Sequence, residues 1–319
     1  MTRAALVAVA LSFADGASAE RLMIGTWNLE WMMTPVTFDA LAARCQDDRR
    51  YGRGGERSIP CNIVPQARWG ERDLARLRQF ASTLPVDVVA LTETDGPQAA
   101  VQVFPDHQFC FTKRKHVQNV GFAIRRGIPF RCNRDYRALG LAENAVRWGA
   151  DLTLYPGAPQ EMHLLAVHLK SACNRDPLTD ARDDCRTLQQ QVPVLENWID
   201  RRARNGDAFA VVGDFNRRFD RESDAARDAH GRTAAMWPEL DDGEPAGADL
   251  MNPGADYGAI GCNNGHGPRM PIDHLVLGRQ LSRRLVAGSF HAWDYPAGGR
   301  WPDHCFISIE LDLEGRNGV

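Results

Sequence analysis

Apolar and polar positions fall in blocks along this chain, and the blocks predict strands and helices in turn. Leu22 to Trp27 (LMIGTW) is a short apolar run that reads as a buried strand. Residues 33–66 break the pattern: Arg, Gly and Asp are frequent, and the stretch reads as a long exposed loop that needs a staple. From Trp69 to Leu84 the apolar residues Leu74, Leu77, Phe80, Ala81 and Leu84 recur at helical spacing, and Pro85 stops the helix. Val86 to Leu91 (VDVVAL) is a second buried strand. Further strands are predicted at Val120–Arg125, Ala150–Tyr155, Met162–His168, Ala208–Val212, Asp273–Leu277 and Cys305–Leu311. Between His168 and Ala208 a helical stretch sets Leu188, Val192, Leu195 and Ile199 on one face. Pro193 inside it implies a kink or a fresh start, and Asn205-Gly206 closes it. Residues 217–270 are polar and rich in Gly and Asp, and read mostly as loop. Strands and helices alternate with no repeat and no break in composition, which predicts one α/β domain over residues 20–319.

The first twenty residues follow another pattern. Arg3 precedes an apolar stretch of ten residues, Ala4 to Phe13, and Ala17-Ser18-Ala19 forms an A-x-A cleavage site. Residues 1–19 are therefore expected to be a signal peptide, with a mature chain from Glu20 that is periplasmic or secreted. No apolar run approaches the ~20 residues of a membrane span, so a multi-pass membrane protein is excluded and no stable membrane association is expected. Export gives the eight cysteines a meaning. The closest two are twelve residues apart, so there is no C-x-x-C zinc or redox pattern, and disulfides are expected. Of many connectivities, the simplest joins sequence neighbours: 45–61, 110–132, 173–185 and 262–305.

Composition then narrows the function classes. The 319 residues are 44% hydrophobic and 25% charged, which is ordinary for a globular chain and unlike a disordered, collagen-like or coiled-coil one. The net charge of −3 excludes a binder that works through bulk positive charge. Of the basic residues only Lys113, Lys115 and Lys170 are lysines; the remaining 35 are arginines. A local arginine rim around an acidic site is still compatible with this balance.

The polar residues that stand out lie at the ends of the predicted strands. Asn28 and Glu30 follow the first, Glu93 follows the second, and His168 ends MHLLAVH. Asp214 and Asn216 follow AFAVV, Asp273 opens IDHLVL, and Asp303-His304 precede CFISIEL. Strand ends of α/β proteins are where ligands meet the scaffold. The set is rich in oxygen and has no thiolate, so it suits Mg²⁺ first, with Mn²⁺ or Ca²⁺ as alternatives, and not a structural zinc. Histidines beside such a cation suit acid–base or phosphate-stabilising work. No G-x-S-x-G, G-x-x-x-x-G-K-[ST] or G-x-G-x-x-G motif is present, so esterase, P-loop and dinucleotide readings have no support.

Six segments in order carry a family resemblance: WNLEW (27–31), ALTETDG (90–96), AVHLKSAC (166–173), VVGDFN (211–216), PIDHLVL (271–277) and PDHCFISIEL (302–311). They resemble the successive signatures of the endonuclease/exonuclease/phosphatase superfamily, and span almost the whole mature chain. The resemblance implies the deoxyribonuclease I-like fold, a four-layer α/β sandwich. In it two mostly antiparallel β-sheets pack face to face and helices flank them. HLKSAC followed by Cys185 and a helix through Trp198 is similar to secreted bacterial extracellular nucleases, which supports the 173–185 pairing.

The resemblance also implies roles. Glu93 is the main metal ligand, supported by Asn28, Glu30 and Asp303, with Asn28 also near substrate. Asp273 and His304 resemble the Asp–His dyad, and either His304 or Asp214 is the base. Asn216 orients water or phosphate, and His168 is the second active-site histidine. Lys170 and Arg147 are candidate phosphate contacts, with Asn119 a further one. Trp31, Trp69 and Trp301 are candidates to stack on bases, but a core role is expected for each. His163 and His274 are set aside, the latter because it points to the other side of its strand from Asp273. One departure is Pro302 where the family usually has Ser. The function implied is a monomeric, metal-dependent phosphodiesterase that hydrolyses DNA, with RNA as a further candidate substrate. Arginines are then expected to cluster on the face of Glu93, His168 and His304. The alternatives of the same fold are a phospholipid or sphingomyelin phosphodiesterase, which would need an apolar docking hairpin, and a phosphomonoesterase. A catalytically silent binding protein is the alternative of another class.

Overall fold

The structure is a computed structural model, and it describes residues 21–47, 57–142, 146–222, 231 and 234–314. The expected signal peptide, residues 1–19, and the expected start at Glu20 lie outside the described residues.

Among the described residues, twelve strands form two six-stranded sheets. The first sheet contains β1 (Arg21–Met32), β2 (Val88–Thr94), β3 (His107–Phe111), β4 (Asn119–Arg125), β11 (His291–Trp293) and β12 (Phe306–Asp312) in the order β11-β12-β1-β2-β4-β3. The second contains β5 (Phe130–Cys132), β6 (Ala150–Leu154), β7 (Met162–His168), β8 (Phe209–Asp214), β9 (Leu250–Met251) and β10 (Asp273–Gly278) in the order β5-β6-β7-β8-β10-β9. Neighbours are antiparallel except for one parallel pair at the centre of each sheet, β1 with β2 and β7 with β8. The helices are α1 (Pro35–Ala42), α2 (Glu71–Thr83), α3 (Pro97–Ala100), α4 (Asp183–Asn205), α5 (Trp237–Leu240) and α6 (Arg279–Ser282).

The central strands read as continuous apolar runs because both their faces are buried. Val88 and Ala90 face the other sheet with Ile24 and Phe122, and meet Leu164, Ala166, Val212 and Leu275 in the inner core. Val89 and Leu91 point outward with Trp27 and pack under Leu74, Leu77 and Phe80 of α2. On the far side, Leu165, Val167 and Val211 pack under Leu188, Val192, Leu195 and Ile199 of α4. The layers are thus helix, sheet, sheet, helix. Helix α4 runs unbroken through Pro193, so there is no fresh start, and Gly206 ends it at φ 73°.

The segment 33–66 departs from the exposed loop expected of it. It opens with α1, capped by Thr34 Oγ1, which accepts from the Thr37 amide at 3.1 Å. Phe38 and Leu41 of α1 are buried with Met33, Ile59, Ala67 and Val117 in a small core of their own. The polar residues hid this because only a few apolar positions face inward. All eight cysteines pair, as 45–61, 110–132, 173–185 and 262–305.

Candidate active site

The topology explains why the polar strand-end residues meet. In a parallel pair both carboxyl ends lie at one edge, so β1 and β2 bring Asn28, Glu30 and Glu93 together, and β7 and β8 bring His168 opposite Asp214. Strand β10 runs the other way, so its first residue, Asp273, lies opposite Asp214 as well. Strand β12 is antiparallel to β1, which returns His304 and Asp303 to the same edge. Close approach of β7 and β8 depends on Gly213. Its φ is 136°, and a Cβ there would sit 2.1 Å from the Val167 carbonyl oxygen.

Backbone strain collects here. Glu30 (φ 46°), Trp31 (φ 57°), Glu93 (φ 54°) and Asn216 (φ 53°) are all left-handed. Local bonds hold these turns. The Glu30 amide donates to Asn28 Oδ1 at 3.0 Å, the Trp31 amide to Glu93 Oε2 at 3.2 Å, and the Asn216 amide to Asp214 Oδ1 at 2.7 Å.

Asp214 Oδ2 is the hub of the site. Asn28 Nδ2 donates to it at 3.0 Å and also to Glu93 Oε1 at 3.3 Å. His168 Nε2 lies 3.4 Å from Asp214 Oδ2 and 3.7 Å from Glu93 Oε1. His304 Nε2 is 3.9 Å from Asp214 Oδ2, while its Nδ1 is 2.5 Å from Asp273 Oδ2. Asn216 Nδ2 reaches back to the Leu169 carbonyl at 3.1 Å and so braces the turn after His168.

The two histidines sit in opposed environments. Burial alone would lower the pKa of His304, but Asp273, Asp214 and Asp303 outweigh it and hold the ring well above its ordinary value. His168 is held well below, first by burial and then by Arg147, His304 and Lys170. The surroundings thus favour the protonated form of His304 and the neutral form of His168. Burial and the nearby Asp273 push Asp214 up to about 7, against the pull of His304. Groups forced apart in this way mark acid–base assignments.

Glu30, Glu93 and Asp303 form a second, carboxylate side. Burial raises Glu93, with Asp303 adding to it; burial and then Asp303 raise Glu30, against Arg300. Three mutually repelling carboxylates beside the Asn28 amide are an all-oxygen donor set that fits a hard divalent cation. Ligand atoms of Asp214, Asp273 and His304 also lie within 4.8 Å of one another. We read that group as a proton relay, because His304 Nδ1 is already bonded to Asp273 Oδ2.

The remaining candidates lie further out. Arg147 donates to the carbonyls of His168 (2.9 Å) and Leu169 (2.5 Å) and to Gln118 Oε1 (3.3 Å), so its guanidinium is engaged behind His168. The Lys170 ammonium is turned to Asp184 Oδ1 at 2.5 Å, in the first turn of α4. Asn119 is tied to Thr112 and to the His116 carbonyl. Trp69 and Trp301 are buried, and Trp31 is half-buried. His274 does point away from Asp273: its Nε2 bonds the Arg217 carbonyl at 2.8 Å and its ring stacks on Phe219.

Three contributors escaped the sequence reading. Tyr295 accepts from Trp27 Nε1 at 2.8 Å and donates to the His304 carbonyl at 2.5 Å. Asn264 Nδ2 donates to the carbonyls of Asp303 (2.9 Å) and Pro302 (3.4 Å), which fixes the turn where the family has Ser. Arg300 pairs with Glu30 at 3.2 Å and stacks on Trp69 at 4.0 Å. None of the three follows an apolar run, so position gave no signal.

The sequence matches the profile of the Endonuclease/Exonuclease/phosphatase family over residues 25–308. The chain belongs to that family. No curated protein sequence matches it. Among solved structures, TDP2 from Caenorhabditis elegans is 12% identical with a TM-score of 0.57, over 92% of this chain and 74% of that one. The 3′-5′ exonuclease NExo from Neisseria meningitidis is 15% identical with a TM-score of 0.53, over 91% and 100%. D. rerio TDP2 complexed with a single-strand DNA product is 16% identical with a TM-score of 0.52, over 91% and 98%. These likenesses show the α/β sandwich fold. As a member of the endonuclease/exonuclease/phosphatase family, the chain is an enzyme that hydrolyses phosphoester bonds, and the family is generally dependent on divalent metal.

Proposed function

We propose that this enzyme is an exported nuclease, with DNA as its main substrate. The observation that carries the reading is the Asp214 carboxylate set between a neutral His168 and a cationic His304, beside the Glu30–Glu93–Asp303 cluster. A divalent cation held by Glu93, with Asn28, Glu30 and Asp303, would neutralise the charge that builds on the phosphate oxygens. Asp214 accepts the proton of the attacking water, since a pKa near 7 suits a base at neutral pH. The Asn216 amide holds Oδ1 of Asp214 and so orients the carboxylate. Asp273 fixes the His304 ring with Nε2 outward, where it donates to a phosphate oxygen. His168, braced by Arg147, donates through Nε2 on the other side of Asp214.

DNA is favoured because NExo is a 3′-5′ exonuclease and D. rerio TDP2 holds a single-strand DNA product on the same fold. Four disulfides support export, with residues 1–19 as the signal peptide of a single-domain mature chain. No helix among the described residues is long and apolar enough to cross a membrane. The test is incubation of the purified protein with plasmid, linear DNA, RNA and sugar phosphates in Mg²⁺, Mn²⁺ or Ca²⁺, with EDTA controls. Metal-dependent cleavage of DNA is expected. Turnover of phosphomonoesters alone would replace the nuclease with a phosphatase.

A further inference from the structure

The carboxylate side of the site carries a cation of its own. Arg300 Nη2 lies 3.2 Å from Glu30 Oε1, and both residues are half-buried. The guanidinium also donates to the carbonyls of Gln66 and Arg68 and lies 4.0 Å over the Trp69 ring. Trp69 Nε1 donates to the Glu30 carbonyl at 2.8 Å, so arginine and indole back the same residue. Trp301, next in the chain, steadies the turn that carries Arg300. Its Nε1 donates to the Pro296 and Gly298 carbonyls, each at 3.1 Å, and its ring stacks on Tyr295. A half-exposed ion pair adds little to stability, and the two carbonyl bonds already fasten residues 66–69 to this turn. The bond to Glu30 therefore matters for what Glu30 does.

The oxygens of the cluster are shared out one by one. Glu30 Oε1 faces Arg300. Glu93 Oε2 takes the Trp31 amide at 3.2 Å, and Glu93 Oε1 takes Asn28 Nδ2 at 3.3 Å. Asn28 Oδ1 takes the Glu30 amide at 3.0 Å. The backbone beneath is fixed as well, with Glu30, Trp31 and Glu93 held at left-handed φ values of 46°, 57° and 54°. A cation thus meets few oxygens on a stiff frame, and Glu30 cannot turn both of its own inward without leaving Arg300. Ca²⁺ collects about six to eight oxygens and often takes both from one carboxylate, whereas Mg²⁺ binds through one or two carboxylates and keeps several waters. The frame suits Mg²⁺.

We propose that Arg300 is a positioning residue that sets the cation preference of the site: by keeping one oxygen of Glu30 it favours Mg²⁺ over Ca²⁺. The proposal rests on the reading of Glu93 and Glu30 as metal ligands and names what selects the ion they hold. The test uses the substrate-free protein. Mg²⁺ and Ca²⁺ are titrated separately against bound Mn²⁺, and the paramagnetic resonance of released Mn²⁺ gives the two affinities. Arg300→Gln keeps an amide that can donate to the Gln66 or Arg68 carbonyl, but leaves both oxygens of Glu30 free. Ca²⁺ should then bind about tenfold more tightly and Mg²⁺ no more than about threefold, so that the ratio of the two affinities moves toward Ca²⁺. Arg300→Lys, which keeps a cation beside Glu30, should hold the ratio near that of the unaltered protein. Glu30→Gln/Arg300→Gln should lose the Ca²⁺ gain, because the freed group is no longer a carboxylate. A residue that only fastened the turn would change the unfolding midpoint and leave the ratio alone. An unmoved ratio in Arg300→Gln, or a Ca²⁺ gain that persists in the double variant, would overturn the proposal while the metal site stands. Failure of the unaltered protein to bind Mn²⁺ at all would instead remove the metal-ligand reading, and the proposal with it.

Discussion

At the scale of single residues, the dyad gives the sharpest expectation. Asp273 fixes the tautomer of His304 and is the first of the carboxylates that hold its proton against burial. Asp273→Asn should therefore cut kcat by roughly 10²–10⁴-fold. It should also move the alkaline limb of kcat/KM to lower pH, because a ring that must be cationic loses its proton earlier once its partner is neutral. A fall in kcat with an unmoved limb would mean that Asp273 acts on structure and not on the His304 proton. His168→Ala should lose a comparable factor with little effect on the alkaline limb, since burial and the nearby cations hold His168 well below its ordinary value. These residues were legible because each ends an apolar run, where chain direction leaves a polar side chain little choice but to face the site or solvent. Tyr295, Asn264 and Arg300 were not, because they act from irregular segments through contacts that only the folded chain creates.

Among the elements, legibility followed burial. The eight inner strands and both long helices show in the sequence because burial on two faces, or on one helical face, leaves a long apolar signature. The four strands that the pattern missed, β3, β5, β9 and β11, are the four sheet edges. An edge strand is short, paired on one side and free to be polar, so no periodicity betrays it. Gly213 shows how one position serves a whole element. Gly213→Ala would place a methyl group 2.1 Å from the Val167 oxygen and hold an L-residue at φ 136°. β8 must then move off β7, for a loss of about 3 kcal/mol or more in urea unfolding. A loss below about 1 kcal/mol would show that the parallel pair tolerates a wider spacing. The Cys262–Cys305 bond offers a parallel case. Cys262→Ser/Cys305→Ser should lower stability by about 2–4 kcal/mol. It should also depress activity more than Cys45→Ser/Cys61→Ser, because Cys305 adjoins His304 while the 45–61 staple closes the small core around α1. Equal activity losses in the two would remove any special link between the 262–305 staple and the dyad.

For the molecule as a whole, the buried titratable groups pull in opposite directions with pH. Burial lowers His116 to about 3 and His274 to about 4. In the unfolded chain each would titrate near 6.5, so the unfolded state binds more protons below that pH. Their stabilising contribution is whole above pH 6.5 and is lost as pH falls toward 4. Asp95 and Asp214 do the reverse: burial raises them to about 6 and about 7, so acid relieves a cost that they impose at neutral pH. The two pairs oppose each other through mild acid, so neither shows by itself in the pH profile of the intact chain. The individual contribution appears only as a difference between proteins. His116 Nδ1 accepts from the Gln118 amide at 3.1 Å, and the oxygen of an asparagine can take that place without a proton to gain. Relative to the unaltered chain, His116→Asn should gain about 3 kcal/mol of stability between pH 8 and pH 4. Denaturant midpoints at pH 8, 6, 5 and 4 measure this. A constant difference across the series would mean that His116 takes up its proton in the folded state near the ordinary value, and that the loop bearing Gln118, and through it Arg147 and His168, opens to water in acid.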